Sequence, residues 1–257
     1  MSTHRFVVPV DPTDHERHGV LDVYRPAPET GPEAETEAAV RSAKPAVVFV
    51  HGGPLPANAS PTPRDSPLFV GYCSLAAASG AVGVMFDHRF HSIEQRADAA
   101  DDVAEAVGAA RRLPGVDPDR VALWFFSGAG LLAAEWLDPP PPWLRCIAAT
   151  YPVLAPGPDR ELEARFRPID ALSATGGLPV LLTRVGRERP EFATGVEAFV
   201  AAAEEHDVAL DIIDVPEGRH GFDMLDHSDA SRSAVTEAMA WVIGKLAPGR
   251  TSAPEGR

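Results

Sequence analysis

The stretch VALWFFSGAG (121–130) reads as a buried strand running without interruption into a turn of small residues. Six apolar residues in succession do not alternate as a half-exposed strand does. They suit a strand covered on both faces, the situation inside a parallel sheet. Working outward, PAVVFVH (45–51), AVGVMFDH (81–88), LRCIAATY (144–151), LPVLLTRV (178–185) and VALDIIDV (208–215) repeat the pattern. Between them lie segments with helical signals: 67–79, 95–113, the SGAGLLAAEWL run from 127 that PPPP (139–142) ends, 190–205, and an amphipathic 230–246. Strands alternating with helices predict an α/β fold with a doubly wound, mostly parallel sheet, helices on both faces and right-handed crossovers. At the amino end, Arg5–Val10 and Val20–Tyr24 are expected to form a short antiparallel pair.

With 257 residues and no internal repeat or dividing linker, residues 1–247 are expected to form one domain. Residues 26–43, rich in Pro, Glu and Ala, read as a mobile surface loop, and 248–257 as a disordered tail. Only 152–177 could cap a site, so any cap is minimal. The formal net charge of −14 argues against nucleic acid or an anionic membrane as partner. No apolar run is long enough to cross a bilayer, and MSTHRFVVPV lacks the apolar core of a secretory leader. Cys73 and Cys146 sit in apolar contexts without metal-ligand spacing, which suggests two buried thiols and a cytoplasmic location.

Ligands of an open parallel sheet bind at the carboxyl ends of its strands. There the sequence places His51-Gly52-Gly53-Pro54, His88-Arg89-Phe90-His91, Ser127-Gly128-Ala129-Gly130, Gly186-Arg187-Glu188-Arg189 and Gly218-Arg219-His220-Gly221-Phe222-Asp223. A serine, an acid and a histidine follow in that chain order. Over roughly 45–246 this set resembles the α/β-hydrolase fold family, specifically its dienelactone hydrolase-like, small serine esterase branch. HGGP adds a likeness to prolyl-oligopeptidase catalytic domains. The resemblance implies a sheet of about eight strands and the triad order Ser…acid…His.

On that resemblance Ser127 is the candidate nucleophile, His220 its general base, and Glu188 the acid that orients the imidazole. Glu191 and Asp223 compete with Glu188 for the last role, and Ser127 could instead be a plain N-cap. Backbone amides of Gly53 and Gly128 would form the oxyanion hole, with Gly52 or Leu55 behind Gly53 because Pro54 has no N–H. The family's usual G-x-S-x-G turn is altered: Phe125 and Ala129 stand two residues before and after Ser127. True dienelactone hydrolases use cysteine at the nucleophile position, so serine chemistry is implied here.

Gly52, Pro54, Leu55, Phe126, Tyr151 and Phe222 are expected to line the substrate pocket, along with the rest of 54–70. Arg89, Arg184, Arg187, Arg189 and Arg219 fall at or past strand ends. Arg89 and Arg187 in particular are candidate contacts to an anionic substrate, unless these arginines are held in structural ion pairs. The sequence has no phosphate loop, dinucleotide fingerprint or zinc spacing, and the expected chemistry needs no cofactor and no metal. The reading is hydrolysis of a small-molecule ester or lactone. A peptidase, a biosynthetic cyclase, dehydratase or acyl transferase on the same scaffold, and a non-catalytic ligand-binding protein remain alternatives. Assembly into a homo-oligomer is left open.

Overall fold

A computed structural model describes residues 5–27, 43–155 and 162–248. The expected mobile loop (most of 26–43), nearly all of the expected disordered tail, and 156–161 of the expected cap lie outside the described residues.

Among the described residues eight strands form one sheet: β1 (His15–His18), β2 (Leu21–Tyr24), β3 (Lys44–Val50), β4 (Val82–Phe86), β5 (Val116–Phe126), β6 (Leu144–Thr150), β7 (Val180–Arg187) and β8 (Leu210–Arg219). Their spatial order is β1-β2-β4-β3-β5-β6-β7-β8, antiparallel at β1–β2 and β2–β4 and parallel from β4 onward. The continuous apolar runs are the parallel strands; from Val121 to Phe126 every residue of β5 is buried.

Helices cover both faces. The α-helices are α1 (Pro67–Ala78), α2 (Arg96–Arg111), α3 (Ala134–Leu137), α4 (Pro168–Ala171), α5 (Pro190–Glu205), α6 (Phe222–Leu225) and α7 (Asp229–Leu246). α1 and α7 pack on one face, where Phe49, Tyr72, Trp124, Phe126 and Met239 share a core. α2, α3, α4 and α5 pack on the other, around Val48, Phe125, Leu132, Phe166 and Phe199. The helix boundaries follow local chemistry. Ser66 caps α1 by accepting from the Phe69 amide, with Pro67 in the first turn. Ser228 caps α7 through the Ser231 amide, with Asp229 in its first turn and Lys245 in its last. In α2, Ala99, Val103, Ala106 and Ala110 recur at helical spacing and are the buried face.

Two sequence expectations are corrected. Arg5–Val10 is not a strand; the partner of β2 is His15–His18. Phe6 instead packs against Tyr72, the tilted rings' centroids 4.7 Å apart, and the Val7 amide donates to the Asp223 carbonyl. The true edge strand, HERH, is exposed at all four positions, so it carries no hydrophobic alternation to read. The segment after Ser127 is also not a regular helix from its start. Ser127–Ala133 is a 3-10 turn that becomes α-helical only at Ala134.

Gly244, exposed in α7, has open space where a Cβ would stand. Gly244→Ala is therefore expected to raise stability by ~0.5–1 kcal/mol, seen as a rise of roughly 1–4 °C in Tm. An unchanged or lower Tm in a thermal melt would contradict the open environment assigned to that position.

Candidate active site

Sheet register brings the candidate residues together. β3 and β5 are parallel neighbours in register from Val47↔Ala122 to Val50↔Phe125, so the chain just past each strand meets the other. Gly52 and Gly53 thus lie against Ser127 and Gly128: a Cβ on Gly52 would sit 2.8 Å from Ser127 Cβ, and a Cβ on Gly128 would sit 1.8 Å from the Gly53 carbonyl oxygen. On the far side, β7 and β8 pair Val185 with Val215 and then Arg187 with Arg219, the longer path in β8 being taken up by Pro216-Glu217-Gly218. Because Arg187 and Arg219 are register partners, the next residues, Glu188 and His220, emerge side by side. The apolar run 208–215 by itself suggests a strand that ends at 215. The strand in fact runs to Arg219 and delivers His220 directly.

Ser127 Oγ lies 2.6 Å from His220 Nε2, and His220 Nδ1 lies 2.6 Å from Glu188 Oε2. The Glu188 side chain is 5% exposed and that of His220 25%. The other Glu188 oxygen accepts the Arg189 amide at 2.8 Å, which fixes the carboxylate's rotation. Of the competing acids, Glu191 is in the first turn of α5 and Asp223 bonds to two tyrosines, so Glu188 is the one at the imidazole. Ser127 has φ +51°, the left-handed region that costs a non-glycine residue ~1–2 kcal/mol. The sharp strand-to-turn geometry is therefore present despite Phe125, whose ring is fully buried in the core beneath α2. Close backbone approach falls instead on Gly128 and on Gly130, where a Cβ would come 2.6 Å from the Val153 carbonyl. The Ser127 carbonyl accepts the Val153 amide at 2.8 Å.

The HGGP loop is held from behind by two histidines whose pairing the sequence does not announce. His51 and His88 stack with centroids 3.5 Å apart. The His88 amide donates to His51 Nε2 at 3.2 Å, so His51 carries its proton on Nδ1, which donates to the Gly52 carbonyl at 2.7 Å. The Phe90 amide donates to His88 Nδ1, leaving His88 Nε2–H for the His51 carbonyl at 2.8 Å. Both rings are neutral: burial pushes His51 well below the usual imidazole value and His88 down to about 4. The Gly52 carbonyl and Gly53 N–H share one planar peptide unit and point opposite ways, so holding the former aims the latter. The Gly53–Pro54 bond is cis. The Leu55 amide donates to the Phe90 carbonyl and is therefore already engaged.

Several expected pocket residues are elsewhere. Phe126 and Phe222 are 1% and 0% exposed and belong to the core beneath the site. Tyr151 is also largely buried, but it lines the cavity at the site, with its ring 4.8 Å from that of His220. Gly52, Pro54 and Leu55 are at least partly exposed, Gly52 directly against Ser127, whereas Leu68 and Phe69 are core residues of α1. The arginines are engaged: Arg89 with Asp102 at 2.7 Å, Arg184 with Asp214 at 2.7 Å, and Arg187 with Glu217. Arg189 lies over the Phe192 ring at 5.6 Å. Arg89 and Arg187 are thus each tied to an acid. A cavity of roughly 240 Å³ adjoins the site, lined by Tyr151, Pro152, Gly186, Glu188, Ala193 and Val196 among others.

Cys73 and Cys146 are buried and unpaired, and burial raises both thiols, Cys146 to about 12. Among the described residues no His, Cys, Asp and Glu cluster could hold a metal ion, and no helix is long and apolar enough to cross a membrane.

The sequence matches no protein-family model and no curated protein. It is similar to solved structures along nearly its whole length. Esterase 2 of Thermogutta terrifontis, in a form phosphoramylated by tabun, is 20% identical over 95% of this chain and 96% of its own, with a TM-score of 0.65. A mutant of the esterase rPPE is 19% identical over 94% and 86%, with a TM-score of 0.67. A putative dienelactone hydrolase from Klebsiella pneumoniae is 18% identical over 87% and 92%, with a TM-score of 0.65. With this strand order, these helical layers and these neighbours, the chain has the α/β-hydrolase fold.

Proposed function

We propose that the protein is a serine hydrolase that cleaves a small carboxylic ester or lactone through an acyl-enzyme on Ser127. The observation that carries this reading is the continuous chain from Ser127 Oγ to His220 to Glu188, with both contacts at 2.6 Å. A serine hydroxyl is a weak nucleophile until a base takes its proton. His220 Nε2 accepts that proton as Oγ attacks the carbonyl carbon. Glu188 accepts the Nδ1–H, fixes the tautomer and stabilises the imidazolium. The amides of Gly53 and Gly128 receive the negative charge that develops on the carbonyl oxygen. His220 then protonates the leaving alkoxide. In the second half, water gives a proton to His220 as its oxygen attacks the acyl carbon, and when the tetrahedral intermediate collapses His220 returns that proton to Ser127 Oγ and the carboxylic acid is released.

Nothing in these steps calls for a cofactor. The described part of the cap is short: single turns at Ala164–Phe166 and Pro168–Ala171 and another at Leu172–Ala174, which suits a small substrate reached from solvent. The esterases among the structural neighbours fit ester cleavage, and the lactone alternative follows from the dienelactone hydrolase.

The test is covalent labelling. A fluorophosphonate probe is expected to modify the protein once, with the adduct mapped by peptide mass to Ser127, and short p-nitrophenyl esters are expected to turn over. An adduct at another residue, or no adduct and no ester turnover, would leave the scaffold to another reaction class or to ligand binding.

Glu188→Gln is expected to lower kcat by on the order of 10²–10⁴-fold while the far-UV spectrum and Tm stay close to those of the parent. The amide can donate to Nδ1 and so favours the wrong imidazole tautomer. A fall under about threefold would remove Glu188 from the role.

A further inference from the structure

Beneath the Ser127–His220–Glu188 chain lies a carboxylate that the proposed reaction leaves unused. Asp223, three residues after His220 at the start of α6, is completely buried. Among the described residues it forms no ion pair with an arginine or lysine. Its carboxylate accepts the Tyr72 hydroxyl at 2.9 Å and the Tyr151 hydroxyl at 2.8 and 2.9 Å. The groups that face it come from three elements: Tyr72 from α1, Tyr151 from the turn after β6, and His220 from the end of β8. Glu188 acts on the same cluster through Tyr151.

A buried carboxylate is a costly way to fill space; an apolar side chain of similar size would pack there without desolvating a charge. What this one does is hold Tyr151. That residue has φ +38° and contacts the site twice. Its ring lies 4.8 Å from the His220 imidazole, with Phe192 on that ring at 5.7 Å. Two residues further on, the Val153 amide holds the Ser127 carbonyl.

Resting on the hydrolase reading above, we propose that Asp223 is a positioning residue for His220: through Tyr151 it fixes the imidazole, and its carboxylate supplies a second negative charge, beside that of Glu188, that favours the imidazolium formed when Ser127 gives up its proton. Burial holds the Asp223 carboxyl up at about 6, against the two hydroxyls and the imidazole, which act to lower it. Above about pH 6 the carboxylate is therefore ionised and its charge is present; below that, it takes up a proton and the effect fades.

Asp223→Asn preserves shape and leaves an oxygen for one tyrosine. The acidic limb of its kcat/KM profile with p-nitrophenyl acetate is expected to move down by ~0.5–1 pH unit. kcat is expected to fall by about 3–30-fold, with KM within about twofold. Tyr151→Phe keeps the ring, removes one donor to Asp223, and is expected to move the limb in the same direction by less. If the asparagine variant does not fold, the phenylalanine variant decides. Folded variants with an unmoved acidic limb would overturn the proposal.

An NMR titration of His220 in a Ser127→Ala background, its signal assigned by loss in His220→Gln, reads the same electrostatics without turnover. A parent protein inert toward esters would sink the hydrolase reading alone. A His220 titration curve identical with Asp and Asn at 223 would sink this inference alone.

Discussion

Ser127→Ala is expected to lower kcat/KM for a p-nitrophenyl ester by on the order of 10⁴-fold or more and to abolish fluorophosphonate labelling. The size follows from the proposed role. Without Oγ no acyl-enzyme forms, and what remains is water attacking a carbonyl held in the oxyanion hole. Unfolding is not expected to account for the loss. The Ser127 hydroxyl has one partner, His220 Nε2, and that imidazole keeps Glu188 on its other nitrogen. Backbone strain is the same for Ser and Ala, because φ +51° disfavours any residue with a Cβ. Ser127→Gly separates the two effects. It should be as inactive as the alanine variant, yet more stable by about 1 kcal/mol through relief of the left-handed conformation. Thermal melts beside the kinetics would show the split. Turnover that survives Ser127→Ala would end the acyl-enzyme mechanism, and an alanine variant with a collapsed Tm would leave the kinetic loss without its chemical meaning.

The sheet was legible because burial on both faces writes itself as unbroken apolar runs. β3 through β7 were each located from such runs to within a few residues of the observed strands, apart from the earlier start of β5 at Val116. β1 was not, since an exposed edge strand of His, Glu and Arg has no apolar face to betray it. The meeting of Ser127, His220 and Glu188 was anticipated from strand ends plus a family resemblance. The bulge that makes Glu188 and His220 neighbours depends on pairing register, which no single strand encodes. The arginines left two readings open in the sequence, contacts to an anion or structural ion pairs. Their acids, Asp102, Asp214 and Glu217, lie on a facing helix or the neighbouring strand, 13 or 30 residues away, so only the folded structure shows which acid each one meets. The His51–His88 stack and the Tyr72–Tyr151–Asp223 cluster were missed for the same reason: each is assembled from different strands and helices.

Gly128→Ala is expected to be damaging too, though less than loss of the serine, and it tests the turn rather than the nucleophile. A Cβ at this position would lie 1.8 Å from the Gly53 carbonyl oxygen and 2.9 Å from its carbon, both backbone atoms that cannot rotate away. One of the two strand-end loops must therefore retreat. Whichever moves, the oxyanion site proposed at the Gly53 and Gly128 amides is disturbed, and the loss of an oxyanion donor costs on the order of 10²–10³-fold in kcat. Overpacking of this kind also destabilises by roughly 1–3 kcal/mol. The signature is a drop in kcat larger than the change in KM, because the developing oxyanion is held in the transition state and not in the bound ester. The nearby Gly53→Ala variant makes a different prediction. Its Cβ would meet the Phe90 side chain at 2.6 Å, and a ring can shift where a carbonyl cannot. Gly53→Ala should therefore retain more activity than Gly128→Ala. The opposite ranking would mean that the close approach of the two loops is not what builds the oxyanion site.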